Sequence, residues 1–155
     1  MSMTISKRVE MGIMAGVLAS VAMSLAIIAV TAISGAWNGF FPIQWFPWVA
    51  AVFGSSGIPS QIAEVGLAWF VAIGIVAGLI YAFAFKTHTV FQGMAFGAIG
   101  WFLVVLYVAL YTAPQLSGPL GSLGYTASVE LLLPLAICFA IWGAALGYVG
   151  KRYLW

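Results

Sequence analysis

The chain has 155 residues, 65% hydrophobic and only 5% charged, with a mean hydropathy of +1.15. Soluble domains carry roughly 25% charged residues, so this composition cannot coat a water-facing surface, and residues 1–155 read as a single transmembrane domain. The net charge of +2 comes from five basic residues, nowhere clustered beyond a pair, which leaves no electrostatic footprint for nucleic acid.

After the polar start MSMTISKR, no charge appears between Met11 and Ile33. At about 1.5 Å rise per residue, roughly 20 residues cross the hydrocarbon core, so a first membrane helix is expected over about 9–34. A signal peptide is the rival reading, with Lys7-Arg8 leading it and Ser34-Gly35-Ala36 as cleavage site, but the apolar run exceeds a typical signal core. Gly12, Gly16, Ser20 and Ser24 recur every four residues, flanked by Ala15, Ala19, Ala22 and Ala26. Such a narrow face suits another helix rather than lipid. The alternative is a polar path along Ser20, Ser24 and Thr31.

An aromatic stretch follows, with Trp37, Phe40, Phe41, Trp45, Phe46 and Trp48. Rings of this kind settle at the headgroup level. An interfacial segment is expected over about 37–57, with a short helix opened by Pro47 and ended by Gly54-Ser55-Ser56-Gly57. It reads as an anchor, or as a docking face for a partner subunit or a lipid-soluble ligand.

A second helix is expected over about 61–85, its start marked by Pro59-Ser60 with Ser60 as the N-cap. A third runs over about 90–112 and stops before Pro114. The Pro/Gly/Ser-rich stretch 113–125 reads as a loop. A fourth helix covers about 126–149, closed by Lys151 and Arg152, with Tyr153 and Trp155 as interface anchors. The fold expected is thus an all-α membrane protein, a four-transmembrane-helix bundle with a short interfacial helix in its first outer loop.

Glycine pairs mark the turn Lys86-Thr87-His88-Thr89 on both sides: Gly74 and Gly78 before it, Gly93 and Gly97 after it. Small residues four apart share a helix face and let backbones approach, so the turn is expected to draw the second and third helices together. Gly143 and Gly147 repeat the pattern in the fourth helix. The first and third helices begin with a Gly pair, and the second and fourth end with one, as in two repeated helical hairpins. All these pairs fall at one side of the bilayer, so the bundle is expected to be pinched there and looser opposite. Lys7, Arg8, Lys86, Lys151 and Arg152 all fall on that same side. The positive-inside rule then places both termini in the cytoplasm, with the chain in the inner membrane.

The acidic residues are Glu10, Glu64 and Glu130. Glu10 lies beside Lys7 and Arg8, where a local ion pair explains it. Glu64 and Glu130 sit near the starts of their helices, where the helix dipole stabilises a carboxylate. Pro134 removes the N–H that would bond the Glu130 carbonyl, and Tyr107, Tyr111 and Gln115 step toward that end of the bundle. A carboxylate within the membrane is a functional-site hypothesis, so Glu130 is expected to face the bundle or a partner. His88 reads as a solvated turn residue and Cys138 as an inert buried thiol. No set of metal ligands, catalytic triad or phosphate loop can be assembled. The chain therefore reads as a non-enzyme that carries no cofactor of its own, with contact to lipid or quinone left open.

The segments GIMAGVLASVAMS, VAIGIVAGLIYAFAF, FQGMAFGAIGW and IWGAALGYVGKRY resemble a family of uncharacterised four-helix prokaryotic integral membrane proteins, a domain of unknown function. The resemblance covers most of the chain and implies its fold; it implies no activity. Members of that family carry a His in the second helix, where Ala68 and Trp69 stand here. Two functional readings follow. One is a small accessory or structural subunit of a larger membrane complex, such as a respiratory or energy-transducing one, with other membrane subunits and the lipid bilayer as partners. The other is a small self-associating transporter or channel that uses Glu130 or Glu64 as its intramembrane carboxylate.

Overall fold

The computed structural model describes residues 4–34, 46, 49–50, 52–54, 59–107, 110 and 125–153, with side chains over 4–29, 46, 49–50, 52–54, 64–107, 110 and 134–153. Four long helices follow one another: α1 (Ile5–Ser34), α2 (Pro59–Ala84), α3 (Val90–Tyr107) and α4 (Tyr125–Tyr153). Each contains a stretch long and apolar enough to cross a membrane: Ile5–Ala29, Glu64–Ala84, Val90–Tyr107 and Pro134–Tyr153. The chain is a multi-pass, all-α membrane protein.

Local chemistry sets the helix ends, and several differ from expectation. The Thr4 hydroxyl accepts from Lys7 N–H at 3.4 Å and the Thr4 carbonyl from Arg8 N–H at 3.0 Å, which starts α1 ahead of Lys7. Pro59, not Ser60, opens α2, because proline's fixed φ and missing N–H suit the first helical position. This start leaves Glu64 beyond the first turn, where the dipole acts less. Gln92 N–H donates to Thr89 Oγ1 and Thr89 N–H to Gln92 Oε1, both at 3.1 Å. That reciprocal capping box opens α3. The α4 helix runs through Pro134 and ends beyond position 149, with Lys151 and Arg152 in its last turn, where cations complement the exposed carbonyls.

The expectation that the central turn draws α2 and α3 together does not hold. Gly74 and Gly78 face α1, and Gly93 and Gly97 face α4. A Cβ built on Gly12 would lie 2.9 Å from Leu79 Cα, and one on Gly78 would lie 2.9 Å from Gly16 Cα. In the other hairpin, a Cβ on Gly143 would lie 3.0 Å from Met94 Cα, and one on Gly147 would lie 2.7 Å from Val90 Cα. The backbones are too close for any side chain. The two hairpins, α1–α2 and α3–α4, are therefore joined in the same way.

The hairpins meet along α1 and α4. Ala15, Ala19, Met23 and Ile27 of α1 share one buried cluster with Leu135, Cys138, Trp142 and Leu146 of α4. A two-fold relation between the hairpins would make α2 and α3 pack as α4 and α1 do. Their backbones scarcely approach, although only the turn 85–89 separates them, and the Phe96 ring meets Tyr81 and Phe85 only beside that turn. The repeat is broken at this position, and a cleft lies where the equivalent interface would be.

Candidate functional site

The cleft between α2 and α3 has a volume of about 500 Å³. Phe70, Ile73, Ala77 and Ile80 form one wall, and Phe96, Ile99, Leu103 and Tyr107 the other. Phe139 and Trp142 of α4 lie between the walls, and Val49, Val52 and Phe53 border it. The α4 aromatics are held by one another and by α3: Phe96 stacks on Trp142 with centroids 6.1 Å apart, and Phe139 meets Trp142 edge-on at 6.2 Å. On α2, Phe53 stacks on Trp69 at 4.5 Å, and Phe46 meets Phe70 edge-on at 6.1 Å. The Phe46 carbonyl lies directly against Gly66, where only a glycine admits it. Phe46 thus packs back onto α2 instead of standing free as a docking residue. Trp37, Phe40, Phe41, Trp45 and Trp48, with most of the segment 37–57, lie outside the described residues, whereas positions 49, 50 and 52 of the expected short helix are helical and the Phe53 N–H donates to the Ala50 carbonyl at 3.2 Å.

The cleft offers apolar walls, rigid aromatic rings and the phenol of Tyr107 at one end. A concave surface of this size and character accepts hydrocarbon or an apolar side chain. Of the candidate polar residues, Tyr107 and Glu64 have described side chains, and Tyr107 lines the cleft. Tyr111 and Gln115 lie outside the described residues, and Glu130 is placed as α4 backbone only. Glu64 is exposed on α2. Among the described residues, no three His, Cys, Asp or Glu side chains gather as a metal would require.

The small face of α1 is used for packing. Ser20 is fully buried, and its Oγ stands where a Gly74 side chain would begin. Ser20 Oγ–H donates to the Gly16 carbonyl at 2.9 Å, and Ser24 Oγ–H to the Ser20 carbonyl at 2.8 Å. Both hydroxyls are satisfied within their own helix, which argues against a polar path at Ser20 and Ser24; the Thr31 side chain lies outside the described ones.

His88 is the main departure from the sequence reading. It is 2% exposed, not solvated. Its ring lies edge-on to Tyr81 at 5.3 Å, and its Cβ would be 2.8 Å from a Cβ on Gly150 of α4. Neither ring nitrogen makes a hydrogen bond of good geometry, and the Ala82 backbone offers only a weak one. Burial, and secondarily the Arg8 charge, push its pKa below the ordinary histidine value, against a weaker upward pull from the Ala82 backbone. Arg8 reaches that same Ala82 carbonyl from α1 with Nη1 at 3.4 Å. Tyr81 is fully buried beside His88, donates to the Thr89 carbonyl at 3.3 Å, and packs its ring on Phe85 and Phe96. The α1, α2 and α4 helices thus converge on the turn through His88 and Tyr81. The one available sequence signal was Gly150, a third glycine near the end of α4 with no partner in the four-residue pattern. Cys138 is buried and unbridged.

Comparison with protein-family models, curated proteins and solved structures finds no match to this chain.

Proposed function

We propose that the protein is a non-catalytic integral membrane subunit of a larger complex, and that the α2/α3 cleft is its docking face. The cleft itself carries this reading: the hairpins close on each other along α1 and α4 but leave the equivalent α2/α3 surface open at bilayer depth. Ridges of side chains on one transmembrane helix fill grooves of this kind on another, and close packing supplies much of the association energy between helices in lipid. The occupant is a transmembrane helix of an unlike subunit. The end that gathers Lys7, Arg8, Lys86, Lys151 and Arg152 faces the cytoplasm by the positive-inside rule.

Photo-crosslinking from position 103, with position 25 as control, tests the proposal. Leu103 lines the cleft, whereas Leu25 is exposed on α1. The expected result is one unlike chain captured from position 103 and not from position 25, and lost when Ala77→Trp fills the cleft. A homo-oligomer by native mass, with Glu130→Gln-sensitive ion or solute flux, would instead establish the transporter reading.

A further inference from the structure

The packing of α1 against α4 brings together residues from opposite ends of the chain. Lys7 and Glu10 of α1 line a cavity of about 380 Å³ with Arg152 and Tyr153 of α4. Arg152 also lines a second cavity of about 420 Å³, with Val90, Tyr148 and Lys151. We propose that this junction binds the phosphate of an anionic phospholipid.

Charge complementarity is the first argument. Lys7, Lys151 and Arg152 supply three cations against the single carboxylate of Glu10. Basic pockets between transmembrane helices recognise acidic headgroups in this way. The second argument is preorganisation. Arg152 Nε and Nη2 donate to Tyr148 Oη at 3.3 and 3.0 Å, and the guanidinium carbon lies 5.4 Å from the Tyr148 ring centroid. The phenol holds the planar fork, and guanidinium geometry matches phosphate oxygens. Depth is the third argument. The site lies at the ends of the α1 and α4 spans, where headgroups lie and tyrosine is enriched. Arg8 is engaged elsewhere, on the Ala82 carbonyl, and Lys86 lines neither cavity.

The full-length protein in detergent, titrated with phosphatidylglycerol or phosphatidylethanolamine and read by native mass spectrometry, tests this. Phosphatidylglycerol should be retained in preference, and Lys7→Gln with Arg152→Gln should weaken its retention about tenfold. Glu10→Gln should strengthen it, and it also decides the matter if the double variant fails to fold. Lys86→Gln changes the net charge without touching either cavity and should leave retention as it was. Equal losses from Lys86→Gln and from the double variant, or equal retention of both lipids, would overturn the site. Millimolar inorganic phosphate should not displace the lipid; displacement would reassign the ligand to free phosphate and overturn the lipid assignment.

Discussion

The His88 ring packs against Gly150, so that the turn between α2 and α3 is seated on the last turns of α4. This contact holds an imidazole out of water with neither nitrogen in a hydrogen bond of good geometry. The fold therefore favours neutral His88, and Arg8 adds to that preference. The unfolded chain takes up the proton first as pH falls, so this contribution to stability is present above the ordinary histidine pKa of about 6.5 and is lost as pH drops through and below it. Thermal unfolding in detergent should show a falling midpoint between about pH 7.5 and 5.5. His88→Leu should flatten that part of the profile. An unchanged slope in the variant would mean that another group carries the dependence.

The glycine contacts make a graded prediction. Gly16, Gly78 and Gly143 would each place a Cβ under or at about 3.0 Å from the backbone of a neighbouring helix, so substitution must push the hairpin apart. Gly78→Leu and Gly143→Leu should each cost about 3 kcal/mol or more. Gly100 differs: its added Cβ would meet only the Phe139 ring, at 3.2 Å. Gly100→Ala should stay within about 1 kcal/mol of wild type. Unfolding midpoints of the three variants, measured side by side, check the order.

Tyr81 combines ring packing with one hydrogen bond. Tyr81→Phe removes only the donation to Thr89 and should cost about 1 kcal/mol. Tyr81→Ala also empties the site among Phe85, His88 and Phe96 and should cost about 3–5 kcal/mol. Similar losses from both variants would show that the hydroxyl, not the ring, is the main contributor.

The capping box should behave as one unit. Thr89→Ala removes the acceptor of the Gln92 N–H and Gln92→Ala that of the Thr89 N–H, and either loss loosens the turn that the remaining bond needs. Each should lower stability by about 1 kcal/mol, and the double variant by less than the sum. Strict additivity in a double-mutant cycle would mean that the two bonds act independently.

Ser20 discriminates packing from conduction. Its hydroxyl bonds only to its own helix, at Gly16, so Ser20→Ala should leave both fold and any flux nearly unchanged, within about 1 kcal/mol. Ser20→Leu would collide with Gly74 and should separate α1 from α2, detected as lost thermal stability. Loss of flux in a folded Ser20→Ala variant would restore the polar path.

Composition and the 20-residue scale of apolar runs determined by themselves that this chain is four membrane helices, because lipid admits few other backbone arrangements. The four-residue glycine spacing likewise marked which faces press on other helices. It could not name the partner of each face: a small-residue stripe looks the same from either side, and only the packed structure assigned Gly74 to α1 and Gly93 to α4. The Thr89-x-x-Gln92 signature is legible in the residues alone, whereas Pro59 and Ser60 are both valid start signals that only the structure separates. The burial of His88, the α2/α3 cleft and the meeting of Lys7 with Arg152 are all tertiary. Each depends on how two hairpins lie against each other, and that is decided by long-range contact between surfaces that no local pattern encodes.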